Sequence, residues 1–243
     1  MTKEEYDAAG MIDDDIEGTR EERMFRFFIN ALGIDGIYIN DLFDDLRDGT
    51  VLVNVIHRID EKAVDWKKID KNPNNDFKKN INNSEVVAAC KTWKLKMIGI
   101  GGVDLTKGDR KLTLATVWQI VRQYYLNLVG NKDEKDIINW VNETSAGKCD
   151  PIKDFKDKSL SDGKMMIQIC SAIEPRCINW DLVLEGADEE QKKNNAKYAI
   201  SCARKLGAVI FCIWEDLVAV NAKQNLIFFA TMMDLQVKMA SEK

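Results

Sequence analysis

The chain holds a single histidine, His57, set between Ile56 and Ile59. A Ser-His-Asp relay or a histidine metal site needs partners that one histidine among apolar neighbours lacks, so His57 reads as a packed or half-exposed helix residue. Ile98-Gly99-Ile100-Gly101-Gly102 has the glycine density of a phosphate loop. No Gly-Lys-Ser/Thr follows it and no strand precedes it, which makes it a structural turn. Asp70-Lys-Asn72-Pro-Asn74 begins like a calcium loop, but its sixth position is Asn75 rather than glycine and its twelfth is Ile81 rather than glutamate. The six cysteines, Cys90, Cys149, Cys170, Cys177, Cys202 and Cys212, form no CxxC pair and mostly lie in apolar stretches. There a free thiol packs as a small hydrophobe, as expected in a reducing cytosolic setting. Trp66, Trp118, Trp140, Trp180 and Trp214 sit among apolar residues and read as core. With no cofactor motif, no metal set and no paired acid and base, the chain is expected to be non-enzymatic and to need no cofactor.

The remaining chemistry is that of charged surfaces. Arg20, Arg23 and Arg26 recur at i, i+3 and i+6, away from the Phe25–Phe28–Ile29 side of one helix. Lys107-Gly108-Asp109-Arg110-Lys111 is a compact charged turn, and Lys132-Asp-Glu-Lys135-Asp opens a later helix. The net charge of −5 is unevenly spread: residues 1–17 carry seven acidic side chains against Lys3, leaving the rest at +1. Residues 1–17 therefore read as a solvated acidic leader or linker, and the body lacks the basic face that nucleic-acid binding requires. No run of eighteen apolar residues occurs, so no membrane span is expected.

The elements that position these charges are helical throughout: three prolines occur in 243 residues, and β-branched alternation is rare. Thr19-Arg20-Glu21-Glu22 is a capping-box pattern, followed by an apolar face of Met24, Phe25, Phe28, Ile29 and Leu32 and stopped by Gly33. Further helices are expected over 45–58, opened by Asp48-Gly49, over 82–94, and over 112–125. The last of these is apolar nearly all round and so central, with one polar stripe at Thr116, Gln119, Gln123 and Asn127. A second set follows near 134–145, 161–173, 190–206 and 223–238.

The second set repeats the first. Asp162-Gly163, Ile173 and Trp180 each lie 114 residues after Asp48-Gly49, Ile59 and Trp66. Phe28 with Trp140, Phe43 with Phe155, Asp104-Leu105 with Asp216-Leu217, Lys111 with Lys223 and Leu114 with Leu226 share an offset of 112. The chain is thus two copies of a unit of domain size, each on about four main helices, in an all-α fold.

Ile98-Gly99…Gly102-Val-Asp104-Leu105…Gly108-Asp-Arg-Lys111-Leu112-Thr113-Leu114…Val117-Trp118-Gln119-Ile120 closely resembles the signature of a type-1 calponin homology domain. Copy two has Lys223-Gln-Asn-Leu226 in place of the Lys-Leu-Thr-Leu run, as type-2 domains do. That order resembles the tandem actin-binding module of the spectrin, α-actinin and fimbrin families. Glu17-Gly18-Thr19-Arg20-Glu21-Glu22-Arg23, Cys177-Ile178-Asn179-Trp180-Asp181-Leu182-Val183 and Asn194-Asn195-Ala196-Lys197-Tyr198-Ala199-Ile200-Ser201 are similar to the second such module of the fimbrin (plastin) family. Ala115 and Phe28 depart from the family's usual glycine and tryptophan, conservatively for packing.

The resemblance implies an acidic leader at 1–17, a type-1 domain over 18–129, a linker at 130–134 and a type-2 domain over 135–239. It implies a module of an actin crosslinking and bundling protein of the cytoplasmic actin cytoskeleton, monomeric as this fragment, with one filament site per pair. Arg20, Arg23 and Arg26, then Lys107, Arg110, Lys111, Thr116, Gln119 and Gln123, then Lys135, Asn139 and Asn142 are the residues it assigns to filamentous actin. The uncharged stripe Thr116–Gln119–Gln123 is expected to desolvate on docking more cheaply than charges would. The competing expectation is a scaffold or microtubule-binding pair that does not engage actin.

Overall fold

The computed structural model describes residues 18–241, and among them there is no strand. Ten α-helices follow in order: α1 (Arg20–Ala31), α2 (Thr50–Ile59), α3 (Asp76–Thr92), α4 (Gly102–Lys107), α5 (Arg110–Leu128), α6 (Glu134–Thr144), α7 (Lys164–Ile173), α8 (Glu189–Lys205), α9 (Trp214–Val218) and α10 (Ala222–Ser241). They form two compact units, which divide between Tyr124 and Tyr125, inside α5. Among the described residues no helix is long and apolar enough to cross a membrane.

In unit one, α1 starts as the capping box dictates. The Glu22 amide donates to Thr19 Oγ1 at 3.3 Å, and the Thr19 amide donates back to Glu22 Oε2 at 3.1 Å. Met24, Phe25, Phe28 and Ile29 are buried, and Phe28 meets the Tyr124 ring edge-on at 5.2 Å. α2 begins at Gly49, whose φ of 78° is left-handed. A Cβ there would lie 2.8 Å from the Asn82 Cβ, so glycine is required twice over.

Asn82 itself is fully buried on α3 and ties two loops together. Its amide nitrogen donates to the carbonyls of Asp48 at 3.1 Å and Asp70 at 2.9 Å, and its oxygen accepts from the Asp70 amide at 2.9 Å. α3 packs on both α2 and α4. The approach of α4 is close: a Cβ on Gly102 would lie 2.6 Å from the Ser84 backbone nitrogen. The glycine-rich turn before α4 is structural, as expected. Asp104 Oδ2 accepts the Gly101 amide at 2.8 Å and caps the helix.

Unit two rebuilds this frame. α7 begins at Gly163, with φ 74°. Asn195, fully buried on α8, donates to the carbonyls of Asp162 at 2.9 Å and Leu184 at 2.8 Å and accepts from the Leu184 amide at 2.9 Å. Asp216 accepts the Ile213 amide at 3.2 Å ahead of α9. In α10 Phe228 and Phe229 are fully buried, and Phe155 stacks on Phe229 at 6.2 Å.

Several expectations need correction. α3 begins at Asp76, six residues before the expected start, because Asn75 Oδ1 caps it by accepting the Lys78 amide at 3.0 Å. The segments before Thr50 and Lys164 belong to turns or 3-10 structure rather than to α2 and α7. The tryptophans are not uniformly core. Trp180 is half exposed, and Trp66 is partly covered by His57, whose ring meets it edge-on at 5.2 Å.

Candidate functional site

A cleft of about 310 Å³ opens in unit one between the start of α1, the loop over 40–43 and the first residue of α5. Its walls include Gly18, Glu22, Arg23, Arg26, Phe43 and Arg110. Arg110 is the best-defined group. Its guanidinium carbon lies 3.8 Å from the centroid of the Phe43 ring, and Nη2 donates to Glu22 Oε1 at 2.8 Å. Stacking on an aromatic face fixes the plane of the guanidinium, and within that plane Nη2 is already spent on the Glu22 carboxylate. The Glu22 side chain is largely buried, whereas that of Arg110 is mostly exposed. Glu22 therefore works twice, as the α1 cap and as the anchor that orients Arg110.

Arg26 closes the other wall, with Nη1 donating to the Asn40 carbonyl at 2.8 Å. Arg23 is buried, 8 % exposed, against the expectation of an outward arginine stripe. Steps of three residues drift round the helix, and Arg23 falls at the edge of the buried face, in the wall of the cleft. Arg20, Lys107 and Lys111 are exposed. The Lys107–Lys111 turn is shaped by Gly108, with φ 72°, and rests on Arg47. Arg47 Nε donates to the Thr106 carbonyl at 3.1 Å. Sequence reasoning passed over Arg47 and Phe43. The one available signal was the offset of 112 that pairs Phe43 with Phe155 while Arg110 falls opposite Ala222.

The polar stripe on α5 is also corrected. Thr116 is fully buried, and its hydroxyl donates to the Leu112 carbonyl at 2.9 Å, one turn back. It has no surface left to desolvate. Gln119 and Gln123 are half-buried.

In unit two, Lys135 and Asn139 on α6 are exposed. Asn142 is not available as a surface donor: its side-chain amide donates to the Ile152 carbonyl at 2.9 Å and accepts from the Ile152 amide at 2.8 Å. Asn30 does the same with Ile39 in unit one, at 3.0 and 2.9 Å. Both asparagines pin the loop after the first helix of their unit.

Among the described residues no group of three or more His, Cys, Asp or Glu could hold a metal ion. Asp70, at the head of the calcium-like segment, is paired with Lys78 at 2.8 Å, which lowers its pKa. Burial pushes the thiols of Cys90 and Cys212 up to about 12, far from a nucleophilic thiolate at neutral pH.

Two helical units of one plan, joined in tandem, define an all-helical double-domain fold. The calponin homology (CH) domain model matches residues 18–126 and again 131–238, and the chain belongs to that family. It is 40 % identical to fimbrin-5 of Arabidopsis thaliana over 246 residues, covering 96 % of this chain and 36 % of that protein. It is 42 % identical to plastin-3 of Homo sapiens, covering 92 % of this chain and 38 % of that one. The chain thus spans little more than a third of the length of these relatives. Among solved structures, the actin-crosslinking core of Schizosaccharomyces pombe fimbrin superposes with a TM-score of 0.79 at 36 % identity, over 88 % of this chain and 47 % of that one.

Proposed function

We propose that this chain is a non-enzymatic module that binds filamentous actin, as part of a fimbrin-type crosslinking protein of the cytoplasmic actin cytoskeleton. The observation that carries the reading is its likeness, in sequence and in fold, to a fimbrin core described as actin-crosslinking. The geometry of unit one supplies a means. Actin is acidic, and Arg110 presents a guanidinium oriented by Phe43 and Glu22 beside Arg26 and the exposed Lys107 and Lys111. Exposed cations of this kind set encounter rate and register. In unit two the candidates are Lys135 and Asn139, with Asn142 withdrawn to its structural task.

High-speed co-sedimentation with filamentous actin across a salt series tests the reading. Saturable pelleting that weakens as salt rises is expected. Arg110→Ala is expected to weaken it roughly tenfold, the equivalent of about 1.4 kcal/mol, with Lys111→Ala having a smaller effect. A folded sample that stays in the supernatant at all salt concentrations would overturn it. One pair offers one filament site, so low-speed pelleting of bundles is not expected from this chain alone.

A further inference from the structure

Besides the Asn82 tie that unit two repeats, unit one carries a second brace, beneath the Lys107–Lys111 turn. Asn83 on α3 is fully buried. Its amide nitrogen donates to the Arg47 carbonyl at 2.8 Å and to Thr106 Oγ1 at 3.0 Å. Thr106 is also buried, and its hydroxyl donates to the Gly102 carbonyl at 2.9 Å. Arg47 closes the ring, with Nε donating to the Thr106 carbonyl at 3.1 Å and its stem lying against Gly108. The side chain that emerges is 45 % exposed, and its pairing with Asp44 is long, at 3.8 Å.

Unit two is built differently at each of these positions. Asn82 pairs with Asn195 at an offset of 113, which puts Ala196 opposite Asn83. At the offset of 112, Val218 stands opposite Thr106 and Ala219 opposite Lys107. Ser161, 114 residues after Arg47, donates to the Val218 carbonyl at 2.9 Å. The backbone tie is thus made in unit two without a cation, and the fold closes there on alanine and valine. Asn83 is dispensable for that closure and carries a cost, because its Oδ1 is buried with no hydrogen-bond partner among the described residues. A buried polar side chain that folding can do without, present only in the unit that has the cations, points to a task at the surface above it.

We propose that Arg47 is a further contact for the filament, and that Asn83 and Thr106 are positioning residues that aim it and the Lys107–Lys111 turn. The inference rests on the filament reading above. Arg47 adds a planar guanidinium to a turn whose exposed cations are Lys107, Arg110 and Lys111. Holding the stem through Nε leaves the two terminal nitrogens to face an acidic partner. The long pair with Asp44 joins two solvated side chains, so it contributes little and exchanges for a better acceptor. Fixing the arginine before docking removes part of the ordering cost of binding, and that is what the brace supplies.

The test is co-sedimentation of the full chain and its variants with filamentous actin across a salt series, with folding followed by unfolding in urea. Arg47→Ser keeps the backbone tie in the form unit two uses and removes the charge. It is expected to weaken binding about three- to tenfold at low salt and to flatten the salt dependence. Arg47→Gln, whose amide can donate to the same carbonyl, is expected to match it. Asn83→Ala combined with Thr106→Val gives unit one the buried pair with which unit two folds. That variant keeps every charge, so it is expected to weaken binding about two- to tenfold with the salt dependence unchanged. Thr106→Ser keeps the hydroxyl and is expected to bind as the parent does. Parent-like affinity in both Arg47 variants would overturn the contact. Parent-like affinity in the double variant, or an equal loss in Thr106→Ser, would overturn the positioning role. Loss of cooperative unfolding in the variants would make the brace a requirement of the fold and overturn the proposal as well. A parent chain that does not pellet would bring down the filament reading itself, and this inference with it.

Discussion

Units one and two share their internal fasteners and differ where they meet solvent. Asn82 and Asn195 make the same three hydrogen bonds, Asn30 and Asn142 the same two, and Gly49 and Gly163 the same left-handed turn. The mouth of the arginine cleft is not shared. Where unit one has Arg110 over Phe43, the offset of 112 gives unit two Ala222 opposite Phe155. Where unit one has Phe28 against Tyr124, unit two has Trp140 donating to Gln236 Oε1 at 2.8 Å. Where unit one turns into its last helix on Gly108, unit two turns on Val220, a β-branched residue at φ 55°. Duplication kept the residues that hold loops to helices and let the cations at one helix start diverge.

The largest effect is expected from the fasteners. Asn82→Ala and Asn195→Ala each strand two carbonyls and one amide, and each is expected to cost its own unit about 3–5 kcal/mol. Hydrogen exchange resolved by residue would show whether the loss stays in the substituted unit. A loss confined to one asparagine would break the equivalence.

The glycines sharpen it further. Gly49→Ala places a Cβ 2.8 Å from Asn82 Cβ, whereas the nearest atoms to a Cβ on Gly163 are at 3.1 Å. Unfolding in urea is expected to show a cost of about 3 kcal/mol for the first and about 2 kcal/mol for the second.

Alkali should separate the units next. Unit one has one thiol, Cys90, and unit two has five, with Cys212 held up at about 12 and Cys177 at about 11, chiefly by burial. A buried thiol stays protonated in the folded protein while the unfolded chain loses its proton at about pH 8.5. The stability is therefore complete below that pH and falls as pH climbs from there toward 12, by up to about 1.4 kcal/mol per pH unit for each fully buried thiol. Unit two is expected to unfold first in an alkaline titration followed by hydrogen exchange. Equal sensitivity would refute this.

Val220→Gly carries the smallest expected effect, a gain of up to about 1 kcal/mol in melting experiments from relieving the left-handed conformation. Gly108→Val should lose a comparable or larger amount.

Much of this was legible in the sequence, for stated reasons. The capping box at Thr19 to Glu22, the apolar face of α1 and the two Asp-Gly helix starts depend on neighbouring residues and were read directly. α4 and α9 were missed because six and five residues are too few to show a helical period. The start of α3 is hidden from pattern because its first turn, Asp76 to Lys79, is polar apart from an exposed Phe77. The candidate site fared less well. Asn142 and Thr116 are polar residues spent on the protein's own backbone, and Arg23 is buried. Residue type cannot tell a polar group that faces water from one that fastens a distant loop. Arg110 stands out in the sequence by its charge, but Phe43 and Glu22 give it direction, and their distance from it along the chain hides that.

The asparagine fasteners also expose the protein to chemical ageing. Hydrolysis of a side-chain amide changes volume hardly at all, yet at Asn82 it would replace an NH2 that serves two carbonyls with an oxygen facing both. The conversion is silent by size and severe by charge, and Asn195 carries the same liability. Each asparagine lies within a long helix, α3 or α8, whose hydrogen-bonded backbone restrains the following amide from attacking the side chain. Fold and chemical lifetime are thereby linked: while the helix holds, the amide is guarded, and each excursion that frays the helix exposes the bond on which the next refolding depends.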